Sequence, residues 1–169
     1  GMYERLAASY RALYDPDSQP SLVLAHGARH LSDGFVDSVA LPLQQGDFDY
    51  ESGEQSASAY CNAWLADSRK KALLADVGVG TIDQVLLAVL PARHQSLRLL
   101  GLADKVLLVD EVHAYDPYMR RLLTELLEAH ARQGGSVILL SATVPQLLRQ
   151  ELVASFAKGR NGEIPRLTD

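Results

Sequence analysis

At 169 residues, with 47% apolar and 22% charged residues, the chain has the composition of one globular domain with a real core rather than of a disordered segment. No apolar stretch reaches the ~18 residues a membrane span needs, and no secretory signal pattern opens the sequence. The net charge of −5 excludes a whole-chain basic footprint for nucleic acid, and the single Cys61 excludes an internal disulfide and a Cys-based zinc site. A reducing, cytoplasmic setting is the expectation.

In chain order, Leu6, Tyr10 and Leu13 fall at helical spacing and predict a helix over Met2–Leu13, stopped by Asp15-Pro16. Residues 21–26 (SLVLAH) read as a first strand. Residues 41–55, with Gly46, Gly53 and several acids, read as a loop or insertion, and Tyr60, Ala63 and Trp64 define a helix over 56–66. Residues 71–76 (KALLAD) read as a second strand, followed by a Gly78-Val79-Gly80 turn, a helix over 81–90 and a short helix over 94–100. Residues 105–110 (KVLLVD) form a third strand. Asp116-Pro117 then opens a helix, with Asp as N-cap and Pro at the first helical position, and Gly134-Gly135 closes it. Residues 136–140 (SVILL) are a fourth strand, and Pro145 opens a last helix that fades near Lys158-Gly159. The four apolar runs lack clean alternation, which predicts strands buried on both faces.

Strands alternating with helices predict an α/β fold with a mostly parallel sheet, in which ligands sit outside the carboxyl ends of the strands. Asp76, Asp110, Glu111 and Ser141 all fall at such predicted ends. Three readings are open for Asp110-Glu111-Val112-His113. The acids can simply bond nearby backbone N–H groups while His113 packs. Alternatively, one carboxylate holds a water-ligated Mg²⁺ and the next orients or deprotonates a water for attack on a phosphoryl group. In the third, Asp110, Glu111 and His113 are ligands of a hydrolytic metal.

Ser141-Ala142-Thr143 before Pro145 reads either as helix-entry capping or as hydroxyls bonding the acids on the adjacent strand end. Thr81, Asp83 and Gln84 fail the dinucleotide fingerprint. Their segment reads as a turn capped by Thr81, or as backbone N–H groups and the Thr81 hydroxyl that bind a nucleic-acid phosphate, with Gln84 as a further polar contact. Arg29, Arg69-Lys70-Lys71, Arg93, His94, Arg98 and Arg120-Arg121 are scattered, most of them reading as solvated faces, and His26 reads as a satisfied strand-end histidine. The chain has no Gly-Lys pair, so the G-x-x-x-x-G-K-[ST] phosphate cradle is missing.

DEVHAYD together with SATVP resembles motifs II and III of superfamily-two helicases of the DExH kind. The longer run ADVGVGTIDQVLLAVLPARHQSLRLLGLADKVLLVDEVHAYDPYM is similar to the CRISPR-associated helicase–nucleases of type I systems, the Cas-three family. MYERL and VLAHGARHL resemble the stretch after that family's motif Ia, so the resemblance covers residues 2–153. It implies a three-layer RecA-like (P-loop NTPase) sheet, with ATP and Mg²⁺ as cofactors of the parent protein and none held tightly by this piece. Asp110 is then the acid that holds Mg²⁺ via water, Glu111 the acid that activates water, and His113 the residue coupling the nucleotide site to the motor. Ser141, Ala142 and Thr143 are the motif linking hydrolysis to unwinding, and Thr81, Asp83 and Gln84 lie on the single-stranded DNA path.

The implied partners are single-stranded DNA, a CRISPR surveillance complex, and the remaining helicase and nuclease domains. The same resemblance makes residues 1–169 a partial first RecA-like domain lacking the P-loop strand, with neither the second RecA-like domain nor the HD nuclease domain. Residues 136–140 would then be left as an apolar sheet edge prone to pair with another copy. On this reading the isolated chain is inactive as an ATPase. The alternative is a non-catalytic interaction or nucleic-acid-binding remnant with the same fold.

Overall fold

The computed structural model describes residues 2–14, 20–25, 71–91 and 94–161. They fall in two compact units, Gly1–Gln84 and Val85–Asp169. The expected loop at 41–55 and helix at 56–66 lie outside the described residues, as do His26, Arg29, Cys61, Arg69, Lys70 and Arg93.

In the first unit, helix α1 (Met2–Leu13) has the predicted bounds. Its Leu6, Ala7 and Tyr10 pack on a core of Leu22, Val23, Ala25, Ala72 and Ala75. Strand β1 (Leu22–Ala25) pairs in parallel with β2 (Val77–Gly80), from Leu22 opposite Val77 to Ala25 opposite Gly80. This corrects the sequence expectation at two places. Residues 71–76 are not a strand, since Ala72–Leu74 form one 3₁₀ turn that buries Ala72 and Leu73. The strand is the glycine-bearing VGVG that the sequence presents as a turn. The β1 backbone explains the glycine: a Cβ on Gly80 would collide with the carbonyl of Ala25, so close pairing excludes a side chain there.

Asp76 consequently stands before β2, not at a carboxyl end. Its Oδ2 accepts from the backbone N–H of buried Ser21 at 2.8 Å and from the Ser21 hydroxyl at 2.7 Å, while its own N–H donates to Ser21 Oγ at 2.7 Å. These bonds clip the entry of β1 to that of β2, a structural use of the acid. Helix α2 (Ile82–Leu86) follows and is shorter than the 81–90 expected, residues 87–89 continuing as turns.

In the second unit the order is α3 (Gln95–Leu102), β3 (Val106–Val109), a 3₁₀ turn at Val112–Ala114, α4 (Pro117–Arg132), β4 (Ser136–Leu139) and α5 (Gln146–Gly159). Both ends of α4 form as the sequence predicts. Asp116 Oδ1 accepts from Met119 N at 2.8 Å, and Pro117 opens the helix. At the far end Gly134 adopts φ +85°, with Gly134 N bonded to Ala131 O and Gly135 N to His130 O, each at 3.1 Å. That pair of bonds is a Schellman closure, which satisfies two carbonyls the helix would otherwise leave open. Arg160 Nη2 donates to the carbonyls of Gly134 and Gly135 at 3.0 and 3.1 Å, holding the same corner.

Leu122, Leu123, Leu126, Leu127, His130 and Ala131 line the buried face of α4, and Leu148, Leu152 and Ala157 that of α5. The two helices meet closely where Gly159 faces the carbonyl of Glu128, a contact any Cβ would block. Beside it Glu128 pairs with Lys158 at 2.8 Å and Arg132 at 2.6 Å. The hydrogen bond from Lys158, aided by the charge of Arg132, holds the Glu128 carboxyl below its ordinary range.

β3 and β4 are parallel, Val106 opposite Ser136 and Val109 opposite Leu139. The expectation of strands buried on both faces fails here. Val109 is buried and Leu107, Val137 and Leu139 are partly covered, whereas Val106, Leu108 and Ile138 are 65%, 56% and 47% exposed. Apolar side chains therefore stand on both faces while only one face is packed. Among the described residues no helix is long and apolar enough to cross a membrane.

Candidate functional site

Because β3 and β4 run parallel, their carboxyl ends lie together, and the ladder continues past the strands through Leu140 N to Val109 O at 2.8 Å. Val112 N then reaches Leu140 O at 3.3 Å, tying the segment after β3 to the end of β4. Five sequence-predicted residues converge on this corner: Asp110, Glu111, His113, Ser141 and Thr143.

Asp110 is exposed, and its Oδ1 accepts from the N–H of Glu111 at 2.8 Å. Among the described residues its other carboxylate oxygen takes no hydrogen bond. Glu111 itself has φ 57° and ψ 36°, in the left-handed region that costs a side-chain-bearing residue about 1–2 kcal/mol. Glu111 Oε2 lies 3.2 Å from His113 Nε2, with the glutamate side chain 66% and the histidine 34% exposed. At that exposure the pair contributes orientation more than energy.

The other face of the imidazole meets Ser141. Its Oγ is 3.0 Å from His113 Nδ1, accepts from His113 N at 3.2 Å, and donates to Thr143 O at 3.1 Å. A hydroxyl has one proton to give. When Ser141 donates to Thr143 O, the imidazole must supply a proton at Nδ1. When Ser141 donates to Nδ1, the ring keeps its proton on Nε2, facing Glu111. The relay Glu111–His113–Ser141–Thr143, from a carboxylate to the loop that enters α5, is therefore continuous only when both ring nitrogens carry protons, and the neutral ring holds one side of it at a time. Ala142 is exposed between the two hydroxyl residues.

The other predicted site residues fall in the first unit. Thr81, Asp83 and Gln84 belong to the first unit, at the exit of β2 and in α2. Asp83 is exposed, Thr81 and Gln84 are half-buried, and Gln84 N bonds to Thr81 O at 3.1 Å. The reading of Asp110, Glu111 and His113 as a hydrolytic metal cluster gains no support. Glu111 and His113 pair with each other, and among the described residues no group of three or more His, Cys, Asp or Glu side chains is placed to hold a metal ion.

One residue at the site has no role in the sequence reading. Buried Tyr115 sends its hydroxyl back to the carbonyl of Asp110 at 3.2 Å. A tyrosine just before a helix cap was the available signal, but its reach across five residues depends on the 3₁₀ turn between them.

No protein-family model matches the chain. It is 44% identical over 155 residues to the CRISPR-associated endonuclease/helicase Cas3 of Escherichia coli (strain K12), a match covering 92% of this chain and 16% of that protein. Curated helicase–nucleases named Cas3 match this chain at 36–44% identity. The crystal structure of T. fusca Cas3-AMPPNP matches with a TM-score of 0.75 at 36% identity, covering 99% of this chain and 17% of that one. A chain of a CRISPR RNA-guided surveillance complex, pre-nicking, matches with a TM-score of 0.55 at 34% identity, over 100% of this chain and 18% of that one. The chain spans 14–16% of the length of the curated Cas3 relatives it matches. Its mixture of helices with small parallel sheets matches the Cas3 structures, in keeping with the resemblance carried by DEVHAYD and SATVP.

Proposed function

We propose that the chain is a segment of a Cas3-type, ATP-driven DNA helicase of the superfamily-two DExH kind. On this reading it is a partial RecA-like domain contributing the Mg²⁺- and water-handling half of the ATP site. The observation that carries it is the corner where two parallel strands end: an oriented Asp110 beside the Glu111–His113–Ser141–Thr143 relay. The residues fit the cofactor. A carboxylate with one oxygen fixed by a backbone N–H and the other open suits a hydrated Mg²⁺, which keeps most of its waters and takes few protein oxygens.

When bound with ATP, Mg²⁺ supplies charge neutralisation on the phosphates. Asp110 would hold that ion through its water shell. Glu111 accepts the proton of the attacking water, and His113 holds the Glu111 carboxylate at Nε2 while sensing Ser141 at Nδ1. Ser141, Ala142 and Thr143 carry the state of that contact into α5. The segment of Thr81, Asp83 and Gln84 lies on the path of single-stranded DNA, with the Thr81 hydroxyl and Gln84 as the phosphate contacts. A CRISPR surveillance complex, the other helicase and nuclease domains, or a second copy pairing along the β4 edge are the partners on this reading.

The phosphates have no seat in this sequence, since there is no Gly-Lys pair. The 169-residue chain alone therefore neither binds ATP tightly nor hydrolyses it. That same lack favours, as a second reading, a non-catalytic module of the same fold.

The test uses the full-length protein and Asp110→Asn. The Mg²⁺ concentration for half-maximal DNA-stimulated ATP hydrolysis should rise about 10–100-fold, the usual cost of losing a residue that acts through a metal's outer shell. An unchanged Mg²⁺ requirement would remove Asp110 from the site.

A further inference from the structure

The peptide between Asp110 and Glu111 is held at both of its polar groups. Its N–H donates to Asp110 Oδ1 at 2.8 Å, and its C=O accepts from the Tyr115 hydroxyl at 3.2 Å. This is the peptide that feeds Glu111 into its left-handed conformation at φ 57°. Glutamate has no intrinsic preference for that region, so the surroundings must impose it. Of the two holders, the Asp110 carboxylate is exposed and belongs to the same residue, free to turn with the chain. Tyr115 is different: it is 9% exposed, and the next residue, Asp116, caps α4. Its hydroxyl is therefore a fixed point delivered from the packed body of the second unit.

We propose that Tyr115 is a positioning residue for ATP hydrolysis, its hydroxyl locking the Asp110–Glu111 peptide so that the two carboxylates leave the strand end in divergent, fixed directions. The inference rests on the ATPase reading above. Without the hydroxyl the peptide can rotate and Glu111 can relax toward ordinary backbone angles. That would carry its carboxylate away from His113 Nε2 and from the place where water must stand. Catalysis by positioning is sensitive to such shifts, whereas binding of the nucleotide's base and phosphates elsewhere is not.

Tyr115→Phe removes the hydroxyl and keeps the buried ring. In the full-length protein it should lower kcat for DNA-stimulated ATP hydrolysis about tenfold, with KM for ATP within about twofold of wild type and an unchanged thermal midpoint. Glu111→Gln is measured alongside. If Glu111→Gln abolishes hydrolysis while Tyr115→Phe keeps the wild-type kcat, the positioning role is wrong and the ATPase reading survives. A Tyr115→Phe loss of kcat that follows a matching loss of thermal midpoint also overturns it, since the residue is then merely structural. If Glu111→Gln itself hydrolyses ATP normally, the ATPase reading falls and the inference with it.

Discussion

Glu111→Gln in the full-length protein should cut DNA-stimulated ATP hydrolysis by about 10²–10⁴-fold, the range over which a positioned general base acts. Glutamine keeps the size and hydrogen-bonding reach of the side chain toward His113 Nε2, 3.2 Å from the native carboxylate, but cannot take a proton from water. Position 111 also carries a stability signature independent of activity. Its φ of 57° penalises any residue with a Cβ, so Glu111→Gly should be more stable than Glu111→Ala by about 1 kcal/mol. At an ordinary position the order is reversed, glycine being the weaker by roughly 0.5–1 kcal/mol. Denaturation midpoints of the two variants in this chain read the difference directly. Alanine the more stable of the two would mean that the backbone at 111 is unstrained.

Leu126→Ala should cost about 2–5 kcal/mol, enough to leave a domain of ordinary stability only marginally folded. Leu126 is fully buried on α4 between Leu122–Leu123 and His130, so deletion of its side chain leaves a cavity with little room to collapse. Leu147, on the neighbouring α5, is 80% exposed, and Leu147→Ala should stay within about 0.5 kcal/mol of wild type. The contrast matters for the site because the N-cap of α4, Asp116, is the residue after the Tyr115 anchor. Chemical denaturation of the two variants decides it; similar midpoints would mean that the α4 face is not the core of this unit.

What the sequence made legible was local. The Asp116 cap and the Gly134-Gly135 stop act within a few residues of themselves, and the ends of α4 form where they predict. The DEVHAYD and SATVP residues also meet, because parallel strands must bring their carboxyl ends to one side. The failures have non-local causes. KALLAD reads as a strand because a four-residue apolar run fits either a strand or one buried helical turn. Gly78-Val79-Gly80 reads as a turn because the need for glycine at position 80 comes from Ala25, a distant partner. Asp76 reads as a functional acid because Ser21, the residue that bonds it, is 55 residues away in sequence. The open face of Val106, Leu108 and Ile138 could not be read, since hydrophobicity on both sides of a strand does not reveal which side is covered. The left-handed Glu111 has no sequence signal at all, for no glycine or asparagine marks it.

The most direct measurement of the proposed half-site is a crystal structure of the full-length protein with Mn²⁺ and a non-hydrolysable ATP analogue, located by manganese anomalous scattering. The expected result is a manganese peak next to Asp110, separated from it by an ordered water, with the terminal phosphate on its far side and a second water against Glu111. A manganese–nucleotide pair bound with Asp110 and Glu111 facing only solvent would contradict it.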